Sequence, residues 1–325
     1  MAVTCTDEGM RRNIAPPGAS LSSRALHTIG LPAVAAERCV HAVRAGASCR
    51  ACVDACPTGA WAATDAAAPR LDAQGCDGCG LCAPACPAGA IAHAHAPVRR
   101  MVTGRAVAFA ACAQTGLRNG TRDGGHAVQG VLPCLNALEL AGLLRLYRGG
   151  VRRLVIARDH CATCPTGSGT AVRLDTAVEE LNLLLDSRGL PPLVLTRRSP
   201  VPWRAQLAFD SRPADGDAPP GEGFVPPARL LPAPAGGHDV PAALWPWVPS
   251  IDAGICHGCA ACSTVCPTGA IRRRDDPPAF LVAPEDCTGC RLCVDHCGPL
   301  GVILERLAPR RQTVVPIPAA PYSPA

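Results

Sequence analysis

Cysteine spacing constrains this chain more than any other feature. CDGCGLCAPACPAG, from Cys76, and CHGCAACSTVCPTG, from Cys256, each spell a complete C-x2-C-x2-C-x3-C-P. CTGCRLCVDHCGP, from Cys287, keeps all four cysteines but places Gly298 before Pro299. CRACVDACPTG, from Cys49, has three, with Gly46 where the leading cysteine belongs. The chain holds 21 cysteines in 325 residues, far more than a protein in a reducing compartment keeps as ordinary buried apolar residues. Thiols packed this closely suit a metal or a metal–sulfur cluster better than disulfides stapling long loops.

The spacing has a specific chemistry. Three sulfurs of one run wrap an iron–sulfur cube, and the following Cys-Pro turn aims the fourth sulfur at a neighbouring cube. Small residues between the ligands let backbone N–H groups approach the sulfides, which helps set the potential. In the C-terminal half this pairing gives site 3 (Cys256, Cys259, Cys262 and Cys297) and site 4 (Cys266, Cys287, Cys290 and Cys293). In the N-terminal half it gives site 2 (Cys56, Cys76, Cys79 and Cys82). Site 1 has Cys49, Cys52 and Cys86 and needs a fourth ligand, for which Cys39 in ERCVHAVRAGASC is the nearest upstream thiol. The alternatives are a three-iron cluster with Cys39 merely buried, or substitution by His41.

On these runs, residues 37–96 and 250–303 resemble the two-cluster bacterial ferredoxin family. The resemblance implies a β-α-β-β-α-β fold with pseudo-twofold symmetry, two [4Fe–4S] clusters per module and one-electron transfer between them. Gly46 and the displaced Pro299 depart from the family pattern.

Between the modules the texture changes. RAVAFAAC (105–112), HAVQGVLPC (126–134), VRRLVIARDHC (151–161) and PPLVLTRR (191–198) read as short apolar strands of a sheet covered on both faces. LNALELAGLLRLYRGG (135–150) and DTAVEELNLLLDSRG (175–189) read as helices closed by glycine. The expected fold is therefore α+β and α/β: two ferredoxin-like modules flanking a small parallel-sheet α/β domain. Cys112, Cys134 and Cys161 each follow a strand, and parallel strands finish on one edge. With Cys164 they can converge where open α/β sheets place their sites. A redox-active Cys161/Cys164 dithiol or inert cysteines are the competing readings.

The leucine-rich helix, the apolar strand and the closing Cys-x-x-Cys make residues 104–190 similar to the iron–sulfur delta subunit of methyl-viologen-reducing hydrogenase and heterodisulfide reductase. That resemblance implies a [2Fe–2S] cluster on Cys112, Cys134, Cys161 and Cys164, and a flavin-containing partner. Two features depart from the pattern. Ala113 to Gly116 supply no second thiol, and His160, an alternate ligand, stands where the family has glycine. Thr166–Thr170 is glycine-rich but lacks the lysine of a phosphate loop and reads as a bland loop.

The remaining segments divide the chain as follows: 1–36 an N-terminal arm, 37–97 the first module, 104–198 the α/β domain, 199–249 a Pro/Gly-rich linker carrying Trp203, Trp245 and Trp247, 250–305 the second module and 306–325 a tail. Cys5 has no ligand role, and His93 and His95 read as solvent-facing. Arg11-Arg12 invites an export signal, but the proline-broken segment after it favours a basic arm, hence a cytoplasmic protein. No apolar stretch is long enough to span a membrane. Four thiolate-held [4Fe–4S]²⁺ cores turn the formal charge of +5 into roughly −3, so the apoprotein charge gives no reason to expect nucleic-acid binding.

These features point to a multi-centre electron carrier with four [4Fe–4S] clusters and one further centre, the [2Fe–2S] or another cluster. Its expected partners are redox proteins: a flavoprotein reductase, or a hydrogenase or dehydrogenase subunit, through which it could also associate peripherally with a membrane. A catalytic reductase subunit acting at the middle cysteines is the alternative, and a cluster assembly or storage protein the second. The absence of a flavin or dinucleotide fingerprint argues against a self-contained enzyme.

Overall fold

The computed structural model describes residues 30–44, 47–64, 68–93, 96–115, 130–158, 161, 164, 173–209, 212–213, 224–233, 242–298, 300–310 and 313–317. Cys5, Arg11, Arg12, Gly46, His95, His160, Thr166–Thr170 and Pro299 lie outside them.

The first module has strands β1 (Ala33–Val34), β2 (Trp61–Ala62), β3 (Arg70–Leu71) and β4 (Ile91–Ala92) and one-turn helices α1 (Val40–Val43), α2 (Ala51–Asp54) and α3 (Cys82–Ala85). The outer strands β1 and β4 pair antiparallel, as do the inner β2 and β3. Elements this short leave most of the chain to the cysteine loops. The module's core is therefore built around thiols, with Cys52 and Cys82 packed against Trp61 and Ile91.

The middle region forms a mixed sheet from β5 (Val98–Val102), β6 (Arg105–Cys112), β7 (Val131–Leu132), β8 (Arg153–Ala157), β9 (Val194–Arg198) and β10 (Arg212–Pro213), with helices α4 (Leu140–Arg148), α5 (Arg173–Asp186) and α6 (Pro200–Phe209). The strand order is β10-β5-β6-β8-β9, with β7 on the end of β6. The β6–β7, β6–β8 and β8–β9 pairs are parallel, while β5 and β10 add antiparallel pairs at one side. Thr103 and Gly104 both have positive φ (48° and 77°) in the two-residue turn joining β5 to β6, the turn class whose twist matches a hairpin.

Alternation along the strands splits the core in two. Ala108, Ala110, Leu154 and Ile156 pack with Leu143, Leu144, Tyr147 and Leu181 on one face. Val107, Phe109, Val155 and Ala157 pack around Trp203 on the other. Trp203 is fully buried; its indole Nε1 donates to the Val155 carbonyl at 3.1 Å, and its ring meets Phe109 edge-on at 6.2 Å.

Several expectations need correction. The segment 199–249 is not simply an extended linker: it contains α6, which seals the second face of the sheet, and the start of a strand carrying Trp245 and Trp247. Within 126–134 only Val131–Leu132 is described as strand. The first leucine-rich helix begins at Leu140, after a 3-10 turn over Leu135–Ala137, and the second begins at Arg173. The tail adds a strand rather than only trailing away, and His93 is half-buried against Gly80.

The second module contains β11 (Leu244–Ile251), α7 (Ala261–Thr264), β12 (Ile271–Asp275), β13 (Pro278–Val282), α8 (Leu292–Asp295), β14 (Val302–Pro309) and β15 (Val314–Pro316). β11 pairs antiparallel with β14, and β12 with β13, the same outer and inner pairing as in the first module; β15 is the added strand, on β13. The module meets the middle region through paired charges. Arg306 grips Glu180 with its guanidinium at 2.5 and 2.6 Å, and the buried Arg188 donates to the Leu244 carbonyl at 2.7 Å. Among the described residues no helix is long and apolar enough to cross a membrane.

Candidate iron–sulfur sites

The three runs that keep all four cysteines turn their thiols inward by the same backbone device, whereas the Cys49 run enters α2 at Ala51 with no left-handed residue at the matching positions. The residue before the second cysteine, Gly78, Gly258 or Gly289, is left-handed, with φ of 69°, 71° and 77°. The residue after that cysteine is left-handed as well: Gly80 at 77°, Ala260 at 62° and Arg291 at 66°. Left-handed residues on either side of the second cysteine curl the chain around the sulfurs and point its amides toward them. Gly78 N donates to Cys76 Sγ at 3.4 Å, and Gly258 N to Cys256 Sγ at 3.4 Å. The Cys-Pro thiols take theirs from four residues on: Ala60 to Cys56 at 3.3 Å, Ala90 to Cys86 at 3.3 Å and Ala270 to Cys266 at 3.2 Å.

Neighbouring thiolates raise one another, mostly within one set, although Cys79 is raised by Cys134 and Cys293 also by Cys262. Cys49 and Cys52 feel Cys86 and Cys39. Cys76 and Cys82 feel Cys56. Cys262 feels Cys256, Cys259 and Cys297, and Cys293 feels Cys287, Cys290 and Cys266. In the middle region Cys112 feels Cys134, Cys164 and Cys161. Cys39 thus lies with the thiols of site 1, while His41 sits behind them, its Nε2 2.8 Å from the Cys49 carbonyl oxygen.

The convergence of the middle four follows from strand register. Cys112 ends β6 opposite Leu132, two residues before Cys134, and Ala111 lies opposite Ala157, four residues before Cys161. Cys112 and Cys134 are buried, whereas Cys161 and Cys164 are half-buried. Amides two residues on (Gln114 and Asn136) favour the thiolates of Cys112 and Cys134, as Ala51, Leu81 and Gly289 do for Cys49, Cys79 and Cys287. The Asn136 side chain also accepts from Leu174 N at 3.1 Å, tying the start of α5 to this loop.

Burial pushes Cys52, Cys112 and Cys287 up to about 12, and Cys82, Cys134 and Cys262 to about 11, with neighbouring thiols adding to each rise. Burial raises Cys79 and Cys293 too. Thiolates crowded this way need cationic metal to offset their charge, and the amide donors already aimed at sulfur fit a thiolate-held cluster. Among the described residues, no group of three or more Cys, His, Asp or Glu side chains forms a site for a single metal ion. Sequence reasoning passed over Trp61, whose side chain hydrogen-bonds Cys82 and favours its thiolate, and Thr288, which does the same for Cys290. Only their positions, Trp61 just past a ligand run and Thr288 inside one, could have flagged them.

This architecture is that of two ferredoxin-type modules, and the comparison with known families agrees: 4Fe–4S dicluster domain models match residues 45–90 and 248–298. The chain therefore carries two 4Fe–4S dicluster domains. Pyruvate-flavodoxin oxidoreductase of Nostoc sp. (strain PCC 7120) is 36% identical over 75 residues, a stretch that is 15% of this chain and 6% of that relative. The chain thus matches only a small part of that much longer protein. Neither family match enters residues 104–190.

Proposed function

We propose that this chain is an electron-transfer protein with four [4Fe–4S] clusters and a fifth centre in the middle domain. The two dicluster domains support the cubes, on Cys39, Cys49, Cys52 and Cys86; Cys56, Cys76, Cys79 and Cys82; Cys256, Cys259, Cys262 and Cys297; and Cys266, Cys287, Cys290 and Cys293. The observation that carries the fifth centre is the amide arrangement at Cys112 and Cys134: the same two-residue offset serves ligand cysteines in the ferredoxin-type runs. Together with Cys161 and Cys164 these thiols form a ligand set suited to a [2Fe–2S] cluster, as in the delta-subunit family that residues 104–190 resemble.

Bound clusters supply one-electron redox chemistry. The protein's share is to bury the thiols, aim amides at the sulfurs and exclude water. A two-electron interface is left to a partner, and the name of the matched relative, a flavodoxin oxidoreductase, makes a flavoprotein the favoured class. A reducing compartment, the cytoplasm, suits so many thiolates.

Anaerobic iron and sulfide analysis with EPR tests this reading, on wild type and on a Cys161→Ser, Cys164→Ser double variant. Wild type should hold about 18 irons, and the variant about two fewer with loss of a [2Fe–2S] signal. About 16 irons, unchanged by the substitutions, refutes the fifth centre.

A further inference from the structure

The five thiol sets are joined by apolar packing in only a few places. In the second module, Cys256, Cys262 and Cys297 of site 3 share a core with Cys293 of site 4 around Phe280. In the first, Cys52 and Cys86 of site 1 share one with Cys56 and Cys82 of site 2. Between the modules, Cys49 of site 1 and Cys290 of site 4 pack on the same four residues, Val40, Ala47, Val265 and Leu292. Ser48 Oγ donates to Asp295 Oδ2 across that seam at 2.5 Å. Finally, Cys79 of site 2 and Cys134 of the middle set pack together on Leu81, which is fully buried. Among the described residues, no apolar core joins any other two sets.

These contacts have one order, and its two ends differ. Of the described cysteines only Cys259, in site 3, is exposed. Near the same site, Ile255, next to Cys256, is 45% exposed and Leu300, whose N–H donates to the Cys297 carbonyl at 3.0 Å, is 75% exposed; Gly301 lies between them in space, an added Cβ there falling 3.4 Å from Ile255. A small apolar patch beside an exposed ligand suits the brief, weak encounters of redox proteins. It does not suit a permanent interface, which would need a larger apolar face.

We propose that the chain holds its sites in single file, in the order site 3, site 4, site 1, site 2 and middle site, with the Cys259 face as the docking surface for a one-electron iron–sulfur carrier protein. This rests on the iron–sulfur reading above. One electron passes from the reduced carrier at the Cys259 face, and one leaves at the middle site to the oxidised flavin of a second protein. No bond is made or broken along the file. Of the four junctions in the file, Cys290 with Cys49 and Cys79 with Cys134 are the two that cross from one domain to another.

The test uses the full-length holoprotein, with iron and sulfide counted first, so that a failure of the iron–sulfur reading is seen separately. A ruthenium photoreductant is attached through Leu300→Cys, and reduction of the middle centre after a flash is followed by its own EPR signal. Adding Cys76→Ser, which removes a thiol of site 2, should abolish the flash-induced signal while dithionite still reduces the middle centre. A flash signal that survives loss of site 2 overturns the file. Should that variant not fold, fully reduced wild type supplies the answer. Its middle-centre signal should be broadened by a neighbouring paramagnetic cluster, and an unbroadened signal overturns the Cys79/Cys134 junction. For the docking face, Leu300→Asp should slow reduction by a bacterial ferredoxin about tenfold relative to the dithionite rate. An unchanged ratio overturns that assignment.

Discussion

Ala260 and Gly80 occupy the same place in two of the cysteine runs, and both are left-handed. If wrapping of the thiols imposes that backbone, exchanging the residues should move stability in opposite directions. A Cβ in this conformation costs roughly 1–2 kcal/mol. Replacing alanine by glycine removes that cost but frees the unfolded chain, which returns about 0.4–1 kcal/mol of it. Ala260→Gly should therefore stabilise the loaded protein by about 0.5–1 kcal/mol. Gly80→Ala takes on the strain and places a Cβ 3.2 Å from His93 Cδ2 and 3.5 Å from the Ala137 Cβ. With the tight His93 contact offsetting the gain of about 0.4–1 kcal/mol from a stiffer unfolded chain, it should cost about 1–2 kcal/mol. Because iron loss makes unfolding irreversible, the readout is a rate: anaerobic bleaching of the visible absorption in guanidinium with an iron chelator. At tenfold per 1.4 kcal/mol, Ala260→Gly should bleach roughly two- to fivefold more slowly and Gly80→Ala at least about fivefold faster. Faster bleaching of Ala260→Gly would show that the run does not hold this residue left-handed, and the argument from thiol wrapping would fail.

Two further outcomes follow from the middle domain. Burial raises Glu139 to about 7 against the pull of Arg145. Its contribution to stability is thus intact below pH 4.5, the ordinary value, and is lost as pH rises through about 7. Glu139→Gln should flatten the fall in stability across that window, as read by bleaching rates at several pH values, and an unaltered slope counts against a neutral carboxyl at this half-buried position. Trp203→Phe keeps most of the apolar filling but strips the donor from the Val155 carbonyl, at a cost of about 1–3 kcal/mol. Since β8 leads to Cys161, on the proposed reading quantitative EPR should show the proposed middle centre depleted while the signals of the two dicluster domains persist.

What could be read from the sequence was local. Ligand spacing is fixed within a dozen residues, so the two 4Fe–4S dicluster domains were legible, as was the strand-end position of Cys112 and Cys134. The proline-rich stretch misled for identifiable reasons. Pro200 and Pro202 fall in the first turn of α6, where the missing N–H groups would lack helix partners anyway. Pro246 and Pro249 lie in β11, which among the described residues pairs with β14 alone and is therefore an edge strand, where proline is tolerated. Both elements read as linker because composition was weighed without knowing which face each proline turns. The seams at Cys49 with Cys290 and Cys79 with Cys134 join distant parts of the chain, and no local pattern announces them.

The seam between the two modules also bears on synthesis. Val40, Ala47 and Cys49 are sealed by Val265, Cys290 and Leu292, which leave the ribosome some 240 residues later. At about 5–20 residues per second that is a wait of roughly 10–50 s. During it, the Cys49 face of the first module stands open. On the proposed reading, iron and sulfide delivery to site 1 has this interval before the second module closes over it, and oxygen has the same interval to reach those thiols. The order of the chain thus makes the first module the one whose loading is most sensitive to translation speed and cellular iron supply.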